Sequence, residues 1–203
     1  RLMLTLRCQM KITDHIGIFE KGLPLNVCEA FIQSFNLWEG QREFIAEAFK
    51  DGENQFKDGN FSRSDTQLCL EVVDLDLYKT LNGFIKKAFE QYTSVYSGIL
   101  QNNDPVSTWT TKVQKTKAGG GYHQWHCENG QFLYRDRVLA WMVYLNTVPS
   151  QSGGGTDFLH QKLTLQPEAG TIVLWPASYT HVHRGGFLTG NVDKYIATGW
   201  FIR

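Results

Sequence analysis

The chain has 203 residues, 42% hydrophobic and 13% aromatic, with 20 basic and 20 acidic side chains. That length and composition suit one domain, 1–203, with a real core, and exclude a disordered chain. A formal net charge of zero supplies no global field for nucleic acid or an anionic membrane, and argues against nucleic acid as a general partner.

Residues 1–9 read as a vector-derived or upstream remnant, because the sequence runs more naturally from Met10 and shows no signal-peptide core. No apolar run is long enough to cross a bilayer, so no membrane role is expected. From 10 to 106 the chain reads as mainly helical support. Pro24 suits a first helical position, with Val27, Phe31, Ile32 and Phe35 following at helical spacing. "REFIAEAFK" is a second helix candidate, and 51–66 reads as a polar, glycine-rich loop that could close over a substrate. The strongest helix carries Leu77, Leu81, Phe84, Ile85, Ala88 and Tyr92 as one stripe.

From Ser107 the residues become β-branched and aromatic: "TWTTKVQK", "RVLAWMVYLN", "TIVLW" and "KYIATGWFIR". The expected fold class is therefore α+β, with N-terminal helices packed on one sheet and a β-sandwich or jelly roll over 107–203. Four scattered cysteines (Cys8, Cys28, Cys69 and Cys127) form no C-x-x-C pair, which excludes a zinc ribbon and points to a reduced, cytoplasmic setting. The glycine runs "KAGGGYHQ" and "SGGGTD" lack the order of a phosphate loop, and no serine sits in a nucleophile elbow.

"GYHQWHCENG" brings His123, His126 and Glu128 together. Residues two apart on a strand share a face, so His126 and Glu128 can take adjacent positions on a divalent metal. Cys127 then points the other way. A further histidine from "SYTHVHRGG", His181 or His183, would complete two imidazoles and one carboxylate, a set that leaves positions open on iron(II). His181 and His183 share a face by alternation, so spacing does not choose between them. Alternation in the last strand groups Lys194 with Ile196, Thr198, Trp200 and Ile202. Lys194 either snorkels to solvent at the strand end or points inward and needs an anion. In "RVLAWMVYLN", Val138, Ala140, Met142 and Tyr144 share a side, and the Tyr144 hydroxyl could donate beside an inward lysine.

In order along the chain stand His126-x-Glu128, Arg137 leading to Tyr144-Leu145-Asn146, Gly154-Gly155 with Thr156 and Phe158, Pro167-x-x-Gly170 leading to Trp175, His183-x-Gly185, and Lys194 before Trp200. From about Lys112 to Arg203 this resembles the 2-oxoglutarate- and iron(II)-dependent dioxygenases, in the prolyl 4-hydroxylase-like branch with its small phage and bacterial members. The N-terminal half is similar only in general character. The resemblance implies a double-stranded β-helix in which His126, Glu128 and His183 hold Fe(II), with His183 preferred to His181 for its interval to Lys194. It implies 2-oxoglutarate and O2 as cosubstrates, succinate and CO2 as products, and ascorbate as a reductant. Lys194, Tyr144 and Thr116 would bind 2-oxoglutarate, and Arg137, Tyr134, Trp175 and Trp200 would line the substrate site. The implied partner is a peptide or protein containing proline, in a phage or bacterial host cytoplasm. The alternatives are the same chemistry on a free amino acid, small metabolite or nucleobase, or a metal-binding module without turnover.

Three positions depart from the branch. Glu128 stands where an aspartate is usual, so its carboxylate reaches one methylene further, and a metal left without it could take chloride and halogenate. Thr116 stands near a usual tyrosine, and a proline common after the distal histidine is replaced around Phe187. His123 is an alternative proximal metal ligand, read first as a substrate-facing group or a support to the ligands, while His15 and His160 read as surface histidines.

Overall fold

Leu139, Trp141 and Val143 bury on one face of a strand whose other face buries Ala140, Met142 and Tyr144. A strand apolar on both faces needs cover on both sides, and the architecture supplies it with helices on one side and a second sheet on the other. The structure, a computed structural model, describes residues 9–55, 61–101 and 105–203. Its strands are β1 (Lys11–Thr13), β2 (Ile16–Phe19), β3 (Phe49–Gln55), β4 (Phe61–Cys69), β5 (Ser107–Thr116), β6 (Gly121–Tyr122), β7 (Arg137–Tyr144), β8 (Thr156–Phe158), β9 (Leu163–Leu165), β10 (Ile172–Pro176), β11 (His183–Gly185) and β12 (Lys194–Ile202). The helices are α1 (Leu25–Glu39), α2 (Leu70–Val73) and α3 (Leu75–Val95).

The large sheet runs β1-β2-β10-β7-β12-β5-β4-β3, with β6 also on β4, and the small sheet runs β11-β8-β9. Every strand pairing among the described residues is antiparallel. On the outer face, Phe31 and Phe35 of α1 and Leu81, Phe84, Ile85 and Ala88 of α3 pack with Trp141, Val143, Leu174, Ala197 and Phe201. On the inner face, Met142, Tyr144, Val173, Trp175 and Trp200 meet Phe158 of the small sheet. This is the jelly-roll form of the double-stranded β-helix with N-terminal helices on one sheet, as the sequence implied.

Helix α3 begins where Asp74 accepts a hydrogen bond from the Leu77 amide at 3.0 Å, which satisfies one of the free donors of the first turn. Leu81, Phe84, Ile85, Ala88 and Tyr92 of its stripe are buried and Leu77 is partly buried, and Tyr92 donates its hydroxyl to the His15 carbonyl at 2.7 Å. Pro24 lies one position earlier than expected: it precedes α1 in an extended conformation, with ψ 142°.

Three local expectations need correction. "REFIAEAFK" forms two short 3-10 turns, Arg42–Phe44 and Ala46–Ala48, and then enters β3, because Phe49 gains burial by pairing with Leu68. The segment 51–66 is not a loop over its described part, since 51–55 and 61–66 belong to the β3–β4 hairpin. Its polar composition reflects position: β3 is the sheet's edge, where charged residues are favoured and exposure is high. Residues 56–60, on which the closing-loop idea also rests, lie outside the described residues, as do 1–8 of the proposed remnant. Third, Val138 packs with the helix-side cluster, because the β7–β12 register shifts between Phe201 and Ile202. No helix among the described residues is long and apolar enough to cross a membrane.

Candidate metal centre

The backbone ties the two histidine segments together before any side chain is considered. His126 donates its amide to the His183 carbonyl at 3.0 Å, and His183 returns the bond at 2.9 Å. Two residues on, the Glu128 amide donates to the Ala177 carbonyl at 2.9 Å, just beyond β10. His183 opens β11, so all three side chains project into the space between the sheets.

Both imidazoles are oriented in the same way. Nδ1 of His126 lies 2.8 Å from the Gln124 carbonyl, and Nδ1 of His183 lies 2.9 Å from the His181 carbonyl. A carbonyl only accepts, so each Nδ1 carries the proton and each Nε2 presents a lone pair. Those Nε2 atoms stand 3.7 Å (His126) and 3.1 Å (His183) from Oε1 of Glu128, and the three ligand atoms lie within 4.8 Å of one another. Lone pairs on a carboxylate and two neutral imidazoles repel unless a proton or a cation sits among them. This donor set fits a divalent metal with open positions, and iron(II) in particular.

The other oxygen of Glu128 is engaged. Trp200 donates its indole N–H to Oε2 at 2.8 Å, and Arg137 Nη1 stands 3.3 Å from it while also donating to the Glu128 carbonyl at 3.1 Å. The Arg137 guanidinium lies between the rings of Trp200, at 3.6 Å, and Tyr134, at 4.0 Å. Burial alone would raise the Glu128 pKa, but positive charge on His126 and His183, whose Nε2 atoms would then donate to it, outweighs burial and holds the carboxyl well below its usual range; a cation among the three groups acts in the same direction.

Lys194 points inward. It is buried, its Nζ donates to the Gly154 carbonyl at 2.5 Å, and it sits 5.6 Å above the Tyr144 ring. No carboxylate among the described residues lies within ion-pair distance of it. Burial pushes its pKa down to about 8, against a smaller opposing pull from Asp157. A Cβ at Gly154, whose φ is +69°, would stand 2.9 Å from Leu188 and 3.6 Å from the Lys194 chain, so glycine fits this turn. Thr116 is the cross-strand partner of Lys194. A cavity of about 400 Å³ is lined by the three-residue cluster at one part and by Lys194, Thr116 and Thr156 at another.

Several candidates sit elsewhere. His181 belongs to a 3-10 turn, Tyr179–His181, and its Nε2 lies 2.8 Å from the Asp14 carbonyl. It therefore faces away from the cluster, because β11 starts only at His183 and strand alternation does not extend back to it. The Tyr144 hydroxyl donates to Thr156 Oγ1 at 2.8 Å and also lies 3.2 Å from the Leu165 carbonyl, so the hydroxyl that lines the cavity here is that of Thr156. Arg137, Tyr134 and Trp200 line the cavity, with Arg137 and Trp200 also bracing Glu128. Trp175 stands edge-on to His183 at 5.1 Å and to Phe158 at 5.6 Å. His123 leaves the cluster: its Nδ1 lies 3.0 Å from the Gly185 carbonyl and its ring stacks on Phe187 at 3.8 Å. Cys127 lines the cavity, but its sulfur is not among the converging atoms. His15 and His160 are exposed.

Sequence reasoning overlooked Thr156 as a lining hydroxyl, and also Arg63 and Lys112. Alternation in β5 was the available signal for Lys112, since Lys112, Gln114 and Thr116 share the face that lines the cavity.

The family model described as the 2OG-Fe(II) oxygenase superfamily matches residues 111–202, a span that contains His126, Glu128, His183 and Lys194. No curated protein matches the sequence. Among solved structures, the viral collagen prolyl hydroxylase of Paramecium bursaria Chlorella virus-1 in its 2-oxoglutarate complex is 18% identical, with 93% of this chain and 96% of that one covered and a TM-score of 0.65. A Pseudomonas putida prolyl-4-hydroxylase is 16% identical over 93% and 92% of the two chains, with a TM-score of 0.71. A Trichoplax adhaerens prolyl hydroxylase, in complex with a hypoxia inducible factor oxygen degradation domain peptide fragment, is 19% identical over 94% and 84%, with a TM-score of 0.67. At such identities these likenesses concern the fold. Residues 111–202 thus resemble the 2OG-Fe(II) oxygenase superfamily, with the histidine–glutamate–histidine cluster inside the matched span, and the chain as a whole shares the fold of these prolyl hydroxylases.

Proposed function

We propose that the protein is an Fe(II)- and 2-oxoglutarate-dependent hydroxylase acting on proline in a peptide or protein. The observation that carries the oxygenase chemistry is one cavity holding both a two-histidine, one-carboxylate cluster and a buried lysine without an acidic partner among the described residues. His126, Glu128 and His183 would hold the metal. Lys194 would pair with the distal carboxylate of 2-oxoglutarate, with hydroxyls of Thr116 and Thr156 beside it and Tyr144 holding Thr156 in place. When bound, iron(II) with 2-oxoglutarate supplies oxygen activation coupled to loss of CO2 and formation of succinate.

The chain's own contribution is orientation and exclusion of water. The Gln124 and His181 carbonyls fix the imidazole tautomers, and Trp200 with Arg137 reserves Oε1 of Glu128 for the metal. Trp175 and Phe158 make a dry wall against His183. Glu128 lies within the cluster, which leaves no support for the halogenation alternative. The peptide and proline part of the reading draws on the fold neighbours, which include two collagen or prolyl-4-hydroxylases and one structure with a bound peptide. Cysteines without a pairing pattern suit a reducing compartment such as a phage or bacterial host cytoplasm, and ascorbate remains the proposed reductant.

The test is an anaerobic titration with Fe(II) and 2-oxoglutarate, followed visibly through the weak charge-transfer band of the chelate. Aerobic incubation with proline-containing peptides and with free amino acids follows, with mass gain of one oxygen and succinate as readouts. Oxygen gain on peptidyl proline supports the reading. Gain only on a free amino acid removes the peptide part, and absence of both band and succinate removes the whole.

A further inference from the structure

The cavity carries more positive charge than the cofactors account for, in a chain whose formal net charge is zero. Lys50, Arg63, Lys112, Arg137, Arg184 and Lys194 line it, against the carboxylates of Asp65 and Glu128. Most of these cations are committed. Arg63 grips Asp65 through two bonds of 2.9 and 3.1 Å, Arg137 takes Glu128, and Arg184 takes Asp157 at 3.1 Å. Lys194 is assigned above to 2-oxoglutarate, and Lys50 is exposed to water.

Lys112 is left over. It stands on β5, half-buried, two residues along the same face from Gln114 and four from Thr116. Its Nζ lies 5.2 Å from the Trp200 ring, whose indole N–H in turn binds Glu128, so one indole separates this ammonium from the metal ligands. Among the described residues no carboxylate comes within ion-pair distance of it. The indole face attracts the ammonium but does not neutralise it. Burial, then the neighbouring charges of Arg63, Lys50 and Arg137, push its pKa down against a smaller opposing pull from Glu128, so a further anion beside it would favour its charged form.

We propose that Lys112 recognises a carboxylate of the substrate, carried by an acidic side chain next to the residue that is oxidised. This rests on the oxygenase reading for the location of the reacting centre. Lys112 is in this view a specificity residue of the cavity, with the exposed Lys50 adding attraction on approach.

The test uses the full chain loaded anaerobically with Fe(II) and 2-oxoglutarate. Two proline decapeptides serve as probes, one with glutamate on both sides of the proline and one with glutamine there, and free N-acetylglutamate is a third. Binding is read by tryptophan fluorescence, which does not depend on turnover, after the chelate band has been recorded for each variant. The glutamate peptide is expected to bind about tenfold or more tighter than the glutamine peptide. Lys112→Gln should erase that ratio while Lys112→Arg retains most of it. Equal binding of the two peptides, no binding of either, or a ratio that survives in Lys112→Gln overturns the proposal. Displacement by N-acetylglutamate as tight as by the glutamate peptide, and lost in Lys112→Gln, supports carboxylate recognition but overturns the peptide source. Loss of the chelate band in the parent protein overturns the oxygenase reading separately, and the peptide ratio is still read by itself.

Discussion

Trp200 donates its indole N–H to Oε2 of Glu128 at 2.8 Å, so a residue on the last strand decides which carboxylate oxygen faces the two imidazoles. The longer glutamate reach is thereby used: one oxygen is held from behind, and the other stands 3.1 Å from His183 Nε2. Trp200→Phe keeps most of the ring volume and removes the donor. Iron affinity is expected to fall by about tenfold to hundredfold, in line with loss of other groups that orient metal ligands. Direct Fe(II) titration checks this, and unchanged affinity would show that Glu128 needs no such brace.

Lys194 and the metal cluster occupy different parts of one cavity, which makes their functions separable. Lys194→Ala is expected to raise the 2-oxoglutarate dissociation constant by about tenfold or more, the scale of a charge-assisted bond, and to leave iron binding close to that of the parent. Parallel titrations of the metal alone and of 2-oxoglutarate on the iron-loaded protein distinguish the two. Equal 2-oxoglutarate affinity in variant and parent would remove the assignment.

The same lysine sets a pH dependence. Its pKa in the fold is pushed down to about 8 from 10.5, so between those values the unfolded chain holds the proton and the ligand-free fold does not. Stability of the ligand-free protein therefore gains from this residue as pH rises through that window. Binding of a diacid favours the charged lysine, so 2-oxoglutarate affinity should hold steady below about pH 8 and weaken above it, with a proton taken up on binding. Calorimetry in buffers of different ionisation enthalpy reads the proton uptake, and Lys194→Met should abolish it.

The two histidines of "HVH" should behave oppositely. His183→Ala should abolish iron binding and turnover together. His181→Ala should retain iron affinity within about twofold and cost stability instead, because it removes a buried ring that is hydrogen-bonded to the Asp14 carbonyl. Metal titration beside denaturant unfolding separates these outcomes, and loss of iron in His181→Ala would contradict the geometry.

Gly199 stands where β5 bulges at Thr110, whose φ is +52°. A Cβ there would lie 2.4 Å from the Thr110 carbonyl oxygen and 2.4 Å from the Trp141 ring. Gly199→Ala is expected to destabilise the protein by about 1–3 kcal/mol through overpacking, measurable as a lower denaturation midpoint with an unchanged slope. A midpoint equal to the parent's would mean that the bulge yields freely.

Much of this molecule follows from local order in the chain. Alternation in "RVLAWMVYLN" and "KYIATGWFIR" announces strands buried on both faces, and the stripe from Leu77 to Tyr92 announces the helix that covers one of them. The ordered run from His126 to Trp200 carries the family likeness. These signals are readable because side-chain direction repeats with period two in strands and 3.6 in helices. Position in the sheet is not encoded that way. The polar segment after Phe49 looks like a loop by composition and is a strand, because an edge strand is allowed its charges by the solvent beside it. His181 and His183 are equivalent by alternation, and only the start of β11 at His183 turns one toward Glu128 and the other toward Asp14. Likewise the partners of Glu128, the commitment of the Tyr144 hydroxyl to Thr156 and the seat of Lys112 against Trp200 depend on contacts between residues far apart in the chain. Such contacts arise only when the two sheets close over one another, and so the tertiary structure decided them.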